Sequence, residues 1–181
     1  MLRARVGSLP SDLKALFAII DDADCTEELR TLAAAAVFYS LSPAGLIPAK
    51  EGALALADQA IAVRCVLDEA RRGAPERTKV HAEADPDTWA GLEHEIELLG
   101  GLLGDVWPAV RDGWRAIGMQ GLKGKTPKQV AADPEVSTWL YAMVDEAVAL
   151  RDIDEQAIIR EVQKEPLVAK LSARLHNRKR A

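Results

Sequence analysis

The chain has 181 residues, 49% hydrophobic and 28% charged, a length suited to one domain and an apolar content sufficient for a real core. Its formal charge of −5 is unevenly spread: Lys170 to Ala181 holds five basic residues and no acid, so the remaining 169 residues carry −10. An acidic body with a short basic end argues against broad nucleic-acid binding, which needs a basic face, and no apolar run approaches the roughly 18 residues of a membrane span.

Every strong periodic segment has helical spacing, and none shows the period-2 alternation of a strand. A first helix is predicted over about Ser11 to Asp22, with Leu13, Leu16, Phe17 and Ile20 on its apolar face. Asp24 or Thr26 can cap a second, whose inner face is Leu29, Leu32, Ala33, Ala36 and Val37. Pro43, Gly45 and Pro48 stop it in a stiff corner, "YSLSPAGLIPA". A third helix, about Glu51 to Arg72, is apolar nearly all round and belongs in the middle of a bundle; Asp58, Gln59 and Arg64 interrupt it. Gly73 to Pro86 is polar and proline-containing and reads as a linker loop.

"DPDTW" opens a fourth helix carrying Trp89, Leu92, Ile96, Leu99 and Leu103. Gly100, Gly101 and Gly104 weaken its end, so it kinks there or packs closely on a neighbour. A fifth, Asp105 to Ile117, carries Trp107, Val110, Trp114 and Ile117, and Gly118 to Thr126 is loop. Thr126-Pro127 and Asp133-Pro134 each start a helix, with proline at the first helical position. Val136, Trp139, Leu140, Met143, Val144, Ala147 and Val148 form the cleanest stripe in the chain. Ile158 and Val162 mark a helix running to Pro166, and a last one carries Leu167, Val168, Leu171 and Leu175.

Familiar chemistries fit poorly. "GMQGLKGKT" ends like a phosphate loop, but Met119 stands where the Walker spacing needs glycine and no strand precedes it; a flexible basic loop is the simpler reading. "LEHEIE" groups Glu93, His94, Glu95 and Glu97 without a His-Glu-x-x-His pattern and reads as a solvated acidic face. Cys25 and Cys65 have no His or Cys at ligand spacing and read as reduced core thiols. There is no Gly-x-Ser-x-Gly, and only three histidines, His81, His94 and His176. No catalytic residue, metal ligand or cofactor is therefore assigned, although catalytic groups converging from distant positions remain an alternative.

Trp107 and Trp114 lie seven residues apart on one stripe, for which core packing is the first reading and a partner-binding groove the second. Arg111, Arg115, Lys123, Lys125 and Lys128 surround them, so the span from Trp107 to Val130 has five basic residues against one acid. The acidic span Glu76 to Asp105 before it can pair with this block inside the fold, or the two can leave a dipolar surface that steers a charged partner. Lys170, Arg174 and Arg178 share a face of the last helix, with Lys179 and Arg180 beyond. That basic amphipathic helix is either a surface helix of the bundle or a weak contact for an anionic membrane.

At the corner, Tyr39, Ser42, Pro43, Leu46, Ile47, Pro48 and Asp58 match without a gap the Tyr-x-x-Ser-Pro-x-Asp-Leu-Ile-Pro-Asp loop and following acidic helix of the YkvA-like family, also called DUF1232, which the chain resembles over about residues 29–72. The chain departs from it where the family is acidic: Gly45, Ala49 and Gln59 replace aspartates. The resemblance implies a helical corner and no established activity, and some members are membrane-associated. If the family's acidic cluster holds a cation, a copy with one carboxylate of four is poorly equipped to do so. On its own residues Asp58 reads as a latch, seeking backbone N–H groups of the 42–48 loop, or Ser40 and Ser42.

The expected architecture is all-α, a bundle of about seven to eight helices with a Pro-rich interhelical corner. An N-terminal unit (1–73) should pack with the C-terminal region (74–181) as one globular domain. The leading functional expectation is a non-enzymatic interaction or regulatory protein, such as an adaptor, inhibitor or immunity-type subunit of a bacterial system, binding another protein. Its expected contacts are the Trp107/Trp114 helix, the Lys123–Lys128 loop and the basic tail. Alternatives are a peripheral membrane protein using the last helix and an enzyme with a dispersed site. "MLRARVGSLPSDL" lacks an apolar signal core, so the expected location is the cytoplasm, at most peripheral to the inner membrane.

Overall fold

The structure is a computed structural model that describes residues 2–149 and 167–178. Among the described residues it is all-α with no β-strand, and eight of its helices have ten residues or more. The helix predicted around Ile158 and Val162, and Lys179 and Arg180, lie outside the described residues.

Helix α1 spans Leu2–Asp21 and begins well before the predicted Ser11. Val6 and Leu9, both buried, extend the stripe of Leu13, Leu16, Phe17 and Ile20 at helical spacing. That burial carries the helix through Pro10, whose missing N–H removes one backbone bond. Thr26 caps α2 (Glu27–Leu41), its Oγ1 accepting the Leu29 N–H at 3.2 Å. The buried run Ala33–Ala36 keeps α2 slim, and α1, α3, α7 and α8 all pack on it.

Helix α3 (Ala53–Gly73) is buried from Ala53 to Asp68 except at Leu56, as its all-round apolarity predicts. It packs against α1 and α2 and forms the axis of the bundle. The segment expected as a linker loop is instead helical: α4 is Pro75–Ala84 and α5 is Pro86–Trp89. Each proline sits in a first turn, where its absent N–H has no intrahelical acceptor to miss. Of the polar side chains that suggested a loop, Glu76, Lys79 and Glu83 form the outer face of a surface helix, while Arg77, Thr78 and His81 turn inward.

The predicted fourth helix is divided, because Gly91 takes a left-handed conformation (φ 69°) between α5 and α6 (Leu92–Leu103). The glycine-rich end is where the helix stops and the chain turns, with only ordinary contact to a neighbour. Gly104 (φ 50°) turns the chain, and Gly100 lies against Trp107, 3.5 Å from the indole nitrogen if a Cβ is added. A 3-10 turn then leads into α7 (Trp107–Gly118). Helix α7 seats on the bundle through two close approaches. A Cβ on Gly113 would lie 2.8 Å from the Leu46 side chain, and one on Gly118 would lie 2.2 Å from the Ala35 carbonyl oxygen.

Thr126 and Gln129 form a complete capping box at the start of α8 (Pro127–Ala132). Asp133 Oδ1 accepts the Glu135 N–H at 2.9 Å at the start of α9 (Pro134–Ala149). The final described helix, α10 (Leu167–Arg178), inserts Leu167 and Leu171 into the core and packs on α7. One hydrophobic cluster runs from Val6 to Leu171, joining both halves of the sequence. No described helix is long and apolar enough to cross a membrane.

Candidate functional site

Side chains on four parts of the bundle carry its polar chemistry. The first is the Pro-rich corner. Tyr39, at the end of α2, donates its hydroxyl proton to Asp58 Oδ2 on α3 in a short hydrogen bond and accepts the Leu46 N–H at 2.9 Å. Asp58 also accepts the Ile47 N–H at 3.0 Å. Leu46 and Ile47 are buried, while Pro43 and Ala44 stay at the surface. The serines serve locally: Ser40 Oγ donates to the Ala36 carbonyl at 3.0 Å, and Ser42 Oγ accepts the Ala44 N–H at 3.2 Å. A Cβ on Gly45 would crowd the Ile47 carbonyl oxygen at 3.0 Å and touch the Tyr39 hydroxyl and Asp58 Oδ2 at 3.4 and 3.5 Å, so glycine leaves this hydrogen-bonded corner room to close.

The second is a buried ionic knot. Arg64 on α3 is fully buried and reaches three helices. Its Nε donates to Glu95 Oε2 on α6 at 3.0 Å, its Nη1 donates to the Thr88 carbonyl of α5 at 2.5 Å, and Asp12 on α1 lies 3.5 Å from Nη1. This corrects the reading of Glu95 as part of a solvated face: it is 5% exposed, whereas Glu93 and Glu97 do face solvent. Helical geometry explains the split, since Glu95 falls on the side of Leu92 and Leu99, both buried.

The third lies where α1 turns into α2. Asp22 accepts hydrogen bonds from Arg77 and His81 of α4, at 2.8–3.0 Å and 3.0 Å respectively, and from the Asp24 N–H at 3.0 Å. Burial alone would raise its carboxyl, but the Arg77 hydrogen bonds and charge, with His81 and the Asp24 amide, hold it below the ordinary carboxylate value. Cys25 is buried beside it, and burial together with the Asp22 carboxylate pushes the thiol up to about 11. Burial likewise pushes Cys65 up to about 12. Neither is an activated thiolate at neutral pH.

The fourth is the basic segment after α7. Leu122 and Lys125 exchange both backbone hydrogen bonds at 2.9 Å, closing a two-residue turn at Lys123-Gly124 with φ of 48° and 77°. Positive φ at both central residues marks the primed hairpin geometry that usually selects Asn-Gly or Gly-Gly. Gly121 (φ 75°) tucks under it, since a Cβ there would lie 2.0 Å from the Lys125 carbonyl oxygen. The segment is thus a hydrogen-bonded turn, not the flexible loop the sequence suggested. Lys123 is exposed, and Met119 at its base is 48% exposed.

The other sequence candidates divide cleanly. Trp114 is 1% exposed and belongs to the core, which removes it as a direct contact; Trp107 is half-buried against Gly100. Arg111 and Arg115 both pair with Glu69 of α3, Arg111 at 2.9 Å, and Arg115 also lies over the Trp114 ring. Lys128 reaches Glu27 at 3.4 Å on the surface. In the tail, Lys170 and Arg174 pair with Glu51 beside the corner, at 2.6 and 3.4 Å. The Lys170 hydrogen bond, aided by the charges of Lys170, Arg174 and Lys50, holds the Glu51 carboxyl below its ordinary range.

Sequence reasoning missed the Asp22–Arg77–His81 group because its members are 55 and 59 residues apart on a segment read as a loop. It also missed the partners of Arg64, although a lone arginine on an apolar helix signals that acids must converge on it. A cleft lined by Asp21, Arg30, Ser137, Thr138 and Tyr141 gathers polar groups, but they are engaged within the fold: Ser137 donates to Asp21 at 2.9 Å, Arg30 to the Ile20 carbonyl at 2.6 Å and Thr138 to the Pro134 carbonyl at 2.9 Å, and burial beside Asp21 pushes the Tyr141 phenol up to about 12. Comparison with family models, curated proteins and solved structures finds no match to this chain.

Proposed function

We propose that the chain is a non-enzymatic interaction subunit, of adaptor, inhibitor or immunity type, that docks on another protein through its basic turn. The supporting observation is Lys123. Among the described residues it is the one non-glycine residue at positive φ. A lysine in the left-handed region costs on the order of 1–3 kcal/mol, and such strain concentrates where a side chain must be presented in a fixed direction. Glycine would relieve it but would remove the charge. The turn instead keeps Lys123 at the surface, its Nζ 3.5 Å from Met143 Sδ of α9, with Lys125 two residues on and exposed Met119 just before the turn, which suits an acidic partner surface with an apolar contact.

The ion pairing elsewhere supports the same reading by subtraction. Arg111, Arg115, Lys170 and Arg174 already have carboxylate partners within the fold. Membrane attachment through α10 has little to work with, because Leu167 and Leu171 lie in the core. The likeness of the corner to the YkvA-like motif belongs to this proposal as a shared way of turning two helices, with Tyr39 and Asp58 as its latch.

Affinity capture from the source organism tests the reading. A Lys123→Glu/Lys125→Glu variant of unchanged melting temperature should lose the partner that the intact chain retains. Equal recovery by both proteins would refute the docking role of the turn.

A further inference from the structure

Among the described residues, one cluster outside the basic turn unites a thiol, an imidazole and a carboxylate. Cys25 Sγ, an Asp22 oxygen and a His81 ring nitrogen all lie within 4.8 Å of one another. The side chains of Asp22 and His81 are 6% and 15% exposed, and Cys25 is 5% exposed. Two rigid pieces supply them: the hydrogen-bonded α1–α2 turn, closed by the Cys25 N–H to the Asp22 carbonyl at 3.0 Å, and helix α4. We propose that Asp22, Cys25 and His81 form a binding site for one divalent transition-metal ion of the zinc class.

The donor set suits such an ion. Sulfur, imidazole nitrogen and carboxylate oxygen are the three ligand types of protein zinc, and three of them leave the fourth tetrahedral position for water or an outside donor. The present hydrogen bond between His81 Nε2 and Asp22 Oδ2, 3.0 Å, would have to open only to the roughly 3.3 Å edge that zinc–ligand distances of about 2.0–2.1 Å set for a tetrahedron. The proton balance is simple. On binding, the Cys25 thiol loses its proton to solvent, and His81 Nε2 gives up the proton it donates to Asp22, leaving a neutral ring protonated on Nδ1 alone with the Nε2 lone pair free for the metal. Two anionic ligands then neutralise the dication.

Arg77 is the obvious objection, since its guanidinium occupies Asp22. It has a second carboxylate, however: Asp24 lies 3.0 Å from Nη1. The Asp22 Oδ1 edge can therefore keep Arg77 while Oδ2 goes to the metal, an arrangement in which the guanidinium orients the ligand from outside. The price is repulsion between Arg77 and the ion, so binding should be weaker than at a thiolate-rich structural site. Because the thiol must ionise, affinity rises with pH through the neutral range.

The test uses the full, reduced, metal-free chain, titrated with Co²⁺ and then Zn²⁺. The expected result is one equivalent of Co²⁺ with a thiolate-to-cobalt charge-transfer band and the intense visible bands of four-coordination, displaced by Zn²⁺. Cys25→Ser and His81→Gln should each weaken binding by about tenfold or more, and Cys65→Ser should leave it unchanged. Zinc should also raise the melting temperature of the intact chain, reversibly with chelator. Absence of both the cobalt band and the zinc-dependent shift in the intact chain overturns the proposal whatever the variants do. A band of full intensity in Cys25→Ser overturns it as well.

Discussion

The Tyr39 hydroxyl and the Asp58 carboxylate, 19 residues apart, join the end of α2 to the second turn of α3. The same hydroxyl accepts the Leu46 N–H, and the same carboxylate oxygen accepts the Ile47 N–H. One pair of side chains thus satisfies two buried amides of the Pro-rich corner.

Tyr39→Phe keeps the ring but orphans the Leu46 amide and removes a donor from Asp58. The expected cost is about 1–3 kcal/mol in chemical denaturation with helix content preserved. A variant as stable as the parent would show that the corner closes without this bond.

Arg64 on α3 and Glu95 on α6 behave as a unit. Removing the carboxylate alone, as in Glu95→Leu, leaves the buried guanidinium with the Thr88 carbonyl and Asp12 at 3.5 Å in place of its closest carboxylate, and should cost about 3 kcal/mol. The Arg64→Met/Glu95→Leu pair should lose less than the two single changes together, because it removes both charges. Strict additivity in denaturation experiments would mean that the two side chains are not coupled.

Close helix packing makes Gly118 irreplaceable by even the smallest side chain. A Cβ there would meet the Ala35 backbone oxygen at 2.2 Å, and neither backbone can turn away as a side chain could. Gly118→Ala is expected to destabilise by about 1–3 kcal/mol. Gly101→Ala, where nothing lies within 4 Å of the added Cβ, serves as the control and should be neutral or slightly stabilising.

The tail latch is pH-sensitive in a defined direction. The Glu51 carboxyl is held below its ordinary value by Lys170 first. A depressed carboxyl contributes stability above its unfolded-state value and loses that contribution as pH falls through its folded-state value. Amide exchange in α10 should therefore quicken, relative to α3, as the pH is lowered through the acid range below Glu51's ordinary pKa. Glu51→Gln should show the quickened exchange already at neutral pH. Protection of α10 unchanged in that variant would mean that Leu167 and Leu171 alone hold the helix.

Much of the fold was legible because local rules and burial agree. Thr126-Pro127 and Asp133-Pro134 start helices where their capping chemistry predicts, and the apolarity of α3 announces its central place. The polar segment after Gly73 misled for a physical reason. Its low apolar content describes a surface helix as well as a loop, and what orders it is tertiary: Arg77 and His81 gripping Asp22 on another element. The basic turn shows the same limit. Lysine carries no signal for positive φ, so Lys123 is found only once the Leu122–Lys125 hydrogen bonds are seen.

The central claim, that the strained turn presents Lys123 to a partner, is tested most directly by measuring partner capture from the source organism with Lys123→Gly beside the intact chain. Glycine relieves the left-handed strain, so the variant should be as stable as the parent or more stable by up to about 1 kcal/mol. The account predicts that this equally stable protein recovers markedly less partner, with a weaker dependence on salt. Undiminished capture by Lys123→Gly would contradict it.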